Sequence, residues 1–109
     1  MEIARIGLCG NNEVYVETDD TNTTPHFHVR GDTETCIQLR ENKYFHHGRY
    51  TEVLNTKDRK TLAEFMESTN PNLNMTNYKA TCILWNMNNS TNNITQEEME
   101  TIPNYRTIN

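Results

Sequence analysis

Glycine and proline are scarce in this chain, with four glycines and three prolines among 109 residues. No glycine-rich phosphate loop and no proline-rich linker can be assigned. Long apolar runs are missing as well, and none approaches the roughly 20 residues of a membrane span. Cysteine is limited to Cys9, Cys36 and Cys82. An odd number of widely spaced cysteines gives neither a CxxC pair nor a disulfide framework, so buried free thiols in a reducing compartment are expected. Bases are outnumbered, 10 against 15 acids, for a net charge of −5. A general nucleic-acid binder needs a basic face to neutralise phosphates, and this balance argues against one. It fits a soluble cytoplasmic protein, or one that docks on a basic partner surface. The start, Met1-Glu2-Ile3-Ala4-Arg5, lacks a secretory apolar region, so the Asn-x-Ser/Thr sequons read as accidents of composition.

What the chain has in excess is asparagine and threonine, 16 of each. An AT-rich coding sequence accounts for many of the asparagines, and a gut bacterium or its phage would fit. The length allows one domain with a modest core. Residues 1–93 are expected to form it, with 94–109 as a C-terminal tail that lies over the surface or frays.

Periodicity supplies the elements. Ile3 to Cys9 is apolar-rich and stops at Gly10-Asn11-Asn12, a turn signal. Glu13 to Thr18 alternates, with Val14 and Val16 opposite Tyr15 and Glu17, so the two runs read as a hairpin. Asp19 to Thr24 reads as a polar loop. Pro25 then opens a strand, where its missing N–H is tolerated. Gly31-Asp32 turns the chain, and Thr33 to Leu39 alternates again, with Thr35, Ile37 and Leu39 opposite Cys36 and Gln38. Arg40 to Tyr50 mixes aromatics, histidines and bases, as a further strand or an ordered loop. From Thr56 the pattern is helical, with Asn55 or Thr56 as N-cap and Leu62, Phe65 and Met66 as the inner stripe to about Ser68. Asn70-Pro71-Asn72 breaks it. Thr76 caps a second helix in which Tyr78, Cys82 and Trp85 recur on one face, and Asn86 to Asn93 is a polar exit. The fold class expected is α+β: a small antiparallel sheet of about four strands with two helices packed on one face.

The run with chemical content is Thr24-Pro25-His26-Phe27-His28-Val29-Arg30, which holds half of the four histidines. On a strand, His26, His28 and Arg30 share one face while Phe27 and Val29 take the other. The first expectation for such a pair is structural, with the rings hydrogen-bonded to backbone or helix termini. The sharper one is a metal site of His26 and His28 for zinc or a similar divalent ion, because alternate strand positions present two imidazoles to one side. His46 or His47 would supply a third ligand, with Glu34 or Asp32 as carboxylate candidates. Otherwise no cofactor is expected. A third option is acid–base cleavage of a phosphodiester by two histidines, with Arg30, Lys43, Tyr44, Arg49 and Tyr50 near in sequence. Leu62, Phe65, Met66 and Trp85 are read as core, and Cys82 as an inert thiol.

The stretch from Thr24 to Gly31 resembles the signature of a bacterial family of small domains of unknown function, in which a Pro-His-Phe/Val-His-Val strand follows a polar loop. The resemblance extends to Leu62-Ala63-Glu64-Phe65 and to Leu84-Trp85-Asn86, and covers about Val14 to Asn86. Lys43–Tyr50 and the tail after Asn86 are longer than that pattern. The resemblance implies a two-layer α+β fold, membership of His26 and His28 in whatever site exists, and genes that often lie beside toxin–antitoxin-like pairs. It implies no activity.

The function expected is a cytoplasmic interaction module of bacterial or phage origin. It would bind a protein partner, as a toxin–antitoxin accessory or an inhibitor of a host defence system does, with no membrane and no nucleic acid involved. The binding residues expected are His26, His28, Arg30, Lys43, Tyr44, His46, His47 and Arg49. The acids Glu13, Glu17, Asp19 and Asp20 contrast with the basic run from Arg40 to Arg49, an asymmetry that could orient such a partner. The alternatives are the His-centred phosphodiesterase, metal-dependent or acid–base, and a binder of a nucleotide or other small ligand.

Overall fold

The computed structural model describes residues 3–18, 24–89 and 92–109. The Asp19–Thr24 loop, apart from Thr24, lies outside the described residues, as do Asp19 and Asp20. The first hairpin pairs β1 (Ile3–Cys9) with β2 (Asn12–Glu17). Cys9 faces Asn12, which leaves a two-residue turn at Gly10-Asn11, and Gly10 takes φ +62° there. Positive φ at the first turn residue matches the twist of the strands and is inexpensive only for glycine. β3 (His26–Arg30) and β4 (Glu34–Gln38) follow, and the sheet order is β1-β2-β3-β4, antiparallel throughout. The expected α+β class is what forms.

Two helices cover one face. α1 (Thr56–Glu67) is capped by Asn55, whose side chain accepts from the Asp58 N–H at 2.8 Å. A short ribbon, β5 (Thr69–Asn70) with β6 (Met75–Thr76), brackets the turn at Pro71 and leads into α2 (Asn77–Asn88), capped by Thr76. Alternation sends Val14, Val16, Phe27, Val29 and Ile37 toward Leu62, Met66, Cys82 and Trp85, and all are buried together. Among the described residues no helix is long and apolar enough to cross a membrane.

The C-terminal segment differs from expectation. Ile94, Met99, Tyr105 and Ile108 belong to the same buried cluster. The Tyr105 ring meets Phe27 edge-on at 5.5 Å, and its hydroxyl donates to the Gln38 carbonyl at 2.8 Å. The last residue closes the structure, because its carbonyl accepts from the Tyr44 N–H at 3.0 Å. The residues from 94 onward are part of the core because they carry its missing apolar side chains.

Arg40 pins the beginning of this segment, donating to Glu98 at 2.6 Å, to Asn92 at 2.7 Å and to the Asn93 carbonyl at 2.8 Å. Thr95 and Glu98 cap one another, each accepting from the other's backbone N–H. The Arg40 hydrogen bond first, and the Thr95 N–H next, pull the Glu98 carboxyl down to about 2. A depressed carboxylate contributes stability that is present above its unfolded pKa and fades as pH falls toward the folded one. The pair is part-exposed, so the contribution is small and screened by salt. Thermal melts between about pH 5 and pH 2 should therefore decline less steeply for Glu98→Gln than for the parent. Parallel slopes in low salt would contradict this.

Candidate metal centre

The other face of the sheet is covered too. Residues 40–54 leave β4 and fold back across it. Gln38 donates to the Lys43 carbonyl, and the Phe45 N–H donates to the Cys36 carbonyl, both at 2.9 Å. Tyr44 anchors the far end, its hydroxyl accepting from the Leu54 N–H at 2.9 Å. A tight turn pairs His47 with Tyr50, with Gly48 at φ +54° between them. His26 and His28, on the face opposite Phe27 and Val29, thereby become fully buried at 0% exposure.

Three ligand-type side chains meet under this cover. His26 comes from β3, Cys36 from β4 and His47 from the turn, and one donor atom of each lies within 4.8 Å of the others. The His26 Nδ1 is 2.8 Å from the Thr24 carbonyl. A carbonyl can only accept, so Nδ1 carries the hydrogen, and Nε2 is the nitrogen left to bind an ion. Such a backbone partner is the usual way a ligating imidazole is oriented. The His47 Nε2 is buried and has no hydrogen-bond partner among the described residues. Cys36 is fully buried, with its Sγ 3.2 Å from the His28 Nδ1. A metal bound at about 2.0–2.3 Å holds its donors roughly 3.3–3.7 Å apart, so the trio needs to close by about an ångström from its outer limit.

His28 stands beside the trio rather than in it. Its ring stacks on Tyr15 at 4.7 Å and meets the edge of Tyr50 at 5.0 Å. Each ring nitrogen faces a carboxylate oxygen at 3.8 Å, Nε2 toward Glu17 and Nδ1 toward Glu34. Glu34 also accepts from the Tyr15 hydroxyl at 2.8 Å. Burial, with that hydrogen bond next, holds the Tyr15 phenol far above its ordinary range.

The remaining sequence candidates scatter. Arg30 shares the face but reaches outward, lying over the Tyr15 ring at 4.7 Å and bonding Glu13. His46 points away from the trio and stacks on Tyr44 at 5.3 Å. Lys43 is exposed, with its ammonium 3.8 Å from Glu41, and Arg49 lies over Tyr50. Asp32 lines a different hollow, beside Cys9 and Asp58. The metal set expected from the sequence was His26 and His28, with His46 or His47 as a third ligand; the group that converges keeps His26 and His47 and adds Cys36, with His28 against the Cys36 sulfur. The signal for Cys36 was present in the hairpin. A turn at Gly31–Thr33 sets Arg30 opposite Glu34, and two steps on sets His28 opposite Cys36. Burial pushes the Cys82 thiol up to about 12, in line with its inert reading, and the Cys9 thiol up to about 11.

Next to the trio an open cleft of about 290 Å3 is lined by Thr33, Glu34, Arg49, Tyr50 and Glu52. Tyr50 forms the wall between this cleft and the His47 ring, 5.0 Å away. No protein-family model, curated protein or solved structure matches the chain.

Proposed function

We propose that this domain is a metal-conditioned interaction module. One transition-metal ion binds through His26, Cys36 and His47, and it fixes residues 44–50 as a surface read by a protein partner. The observation that carries this reading is the convergence of three ligand atoms within 4.8 Å, from two strands and one turn. Imidazole and thiolate are ligands for zinc, copper and iron, and a thiolate selects against magnesium and calcium. Because His47 sits on the covering segment and the other two on the sheet, the ion acts as a cross-link. Exposed His46 and Arg49 lie on the same segment, so its conformation sets what a partner meets.

The alternatives have less support. A phosphodiester cannot reach His26 or His28 at 0% exposure. The neighbouring cleft sets two carboxylates, Glu34 and Glu52, against one base, Arg49, a balance unfavourable to a phosphate. Metal titration of the chelator-stripped protein tests the reading. His47→Ala should weaken binding by more than the roughly 10–100-fold that an outer partner is worth, while His46→Ala stays close to the parent. Equal losses in the two variants, or none in either, would remove this centre from consideration.

A further inference from the structure

We infer that the centre is a closed, four-coordinate zinc site in which His28 is the fourth ligand and Glu17 the residue that positions it. The inference rests on the metal-binding reading above and adds the ion, the missing donor and a structural role. His26, Cys36 and His47 supply three donors, whereas zinc in structural sites takes four, in a tetrahedron. A further donor stands against the sulfur. The Cys36 Sγ is 3.2 Å from the His28 Nδ1 and 3.7 Å from its Nε2. A tetrahedral zinc ion sets sulfur and nitrogen about 3.6 Å apart, so Nδ1 is already within ligand spacing. The imidazole rings fit the same tetrahedron. Three rings on one zinc ion place their centres about 5 Å apart, given Zn–N bonds of about 2.0–2.1 Å. The His26 ring centre lies 5.3 Å from that of His28 and 5.2 Å from that of His47. The third side, His28 to His47, is 6.3 Å. His47 rides on the covering segment, so a descent of that segment by about an ångström closes the triangle. Packed aromatic rings also stand about 4.5–7 Å apart, so the sulfur contact, which ring packing does not require, carries more weight.

The surroundings suit a ligating His28. With Nδ1 on the ion, Nε2 carries the hydrogen and turns it toward Glu17, whose carboxylate oxygen is 3.8 Å away. A ligating imidazole that donates its other N–H to a carboxylate is the common arrangement at zinc. Charge points the same way. Zinc with one thiolate and three neutral imidazoles keeps one positive charge. His26, His28 and Cys36 are at 0% exposure, and a charge in such a pocket is costly unless it is paired. Glu17 on one side of the His28 ring and Glu34 on the other, each at 3.8 Å, pair it. Aromatic rings line other sides: Phe45 and Trp85 against His26 at 4.8 Å and 5.3 Å, and Tyr50 against His28 and His47, both at 5.0 Å. Four protein donors leave no open position for water or substrate, so the ion is structural and ties the covering segment to the sheet.

The experiment loads the full chain, stripped of metal under reducing conditions, with zinc alone. X-ray absorption at the zinc edge counts the ligands, and competition against a chromophoric chelator gives the affinity. The expected result is one zinc per chain, held by one sulfur and three imidazoles. Cobalt(II) in its place should show the intense visible bands of a tetrahedral ion. Glu17→Gln should weaken zinc by about 10–100-fold and shift the cobalt bands, because His28 loses the carboxylate that raises its basicity, while the ligand count stays at four. An unchanged affinity and spectrum in Glu17→Gln would remove its positioning role. His28→Gln should lose one imidazole and weaken zinc further than Glu17→Gln does. Wild-type spectra give the ligand count whether or not that variant folds. One sulfur, two imidazoles and an exchangeable oxygen in the wild type would overturn His28 as a ligand and leave the three-residue centre standing. Failure of zinc to bind the folded wild type would overturn the inference: binding of Cu(I) in its place would leave the centre standing, and failure of both ions would remove the centre as well.

Discussion

A chain ending at Asn93 should lose cooperative unfolding. The deleted residues include Ile94, Met99, Tyr105 and Ile108, all buried with the helices and the sheet. Each fully buried side chain of this kind is worth about 1.5–3 kcal/mol of transfer free energy. Four of them together rival the whole stability of an ordinary domain, about 5–15 kcal/mol. The deletion also takes away the Tyr105 hydroxyl bond to Gln38 and the terminal carbonyl that holds Tyr44. Tyr44 is the anchor of the segment that carries His47, so the loss extends to the candidate centre. Thermal melts followed in the near ultraviolet should show a sigmoid for the full chain and none for residues 1–93. A truncated chain that melts cooperatively within a few degrees of the parent would contradict the packing.

The second large effect concerns metal. An ion that binds only the folded state stabilises it by mass action, by about 4.1 kcal/mol at a free concentration 1,000 times its dissociation constant. A domain near this size shifts its melting point by about 4–8 °C per kcal/mol. Saturation of the centre is therefore expected to raise the Tm on the order of 15 °C or more. The gain should concentrate where the cross-link acts. Hydrogen exchange at the Phe45 and Tyr50 amides, which bond Cys36 and His47 carbonyls, should slow more than at the N-cap of α1. Cys36→Ser should show neither the Tm rise nor the local protection. A rise of the same size in Cys36→Ser would place the ion elsewhere.

Local signals carried much of this architecture. The Gly10 turn, the alternation of β2, β3 and β4, the Asn55 and Thr76 caps and the Trp85 stripe are short-range patterns, and they form as the residues suggest. The shared face of His26 and His28 is also local, since strand alternation alone produces it. What the sequence hides is contact across distance. His47 reaches the histidine strand because residues 40–54 fold back over the sheet, and no periodicity announces that path. Cys36 reads as a small hydrophobe until the hairpin register places it opposite His28. The tail reads as polar because its apolar residues are spaced among asparagines, threonines and acids. Ile94, Met99, Tyr105 and Ile108 nevertheless find the core, since the sheet and two short helices leave apolar surface for them to cover. Burial of both faces also changes the chemistry expected of the histidines, from a surface pair open to a substrate to ligands inside a closed box.

The measurement that bears most directly on the central claim is the metal content of the untagged protein, isolated without chelator under reducing, anaerobic conditions. Native mass spectrometry and elemental analysis would follow exposure to Cu(I) and to zinc in turn. One ion per folded chain, absent from Cys36→Ser, is the predicted result. A folded wild-type chain that stays metal-free after both exposures would contradict the account.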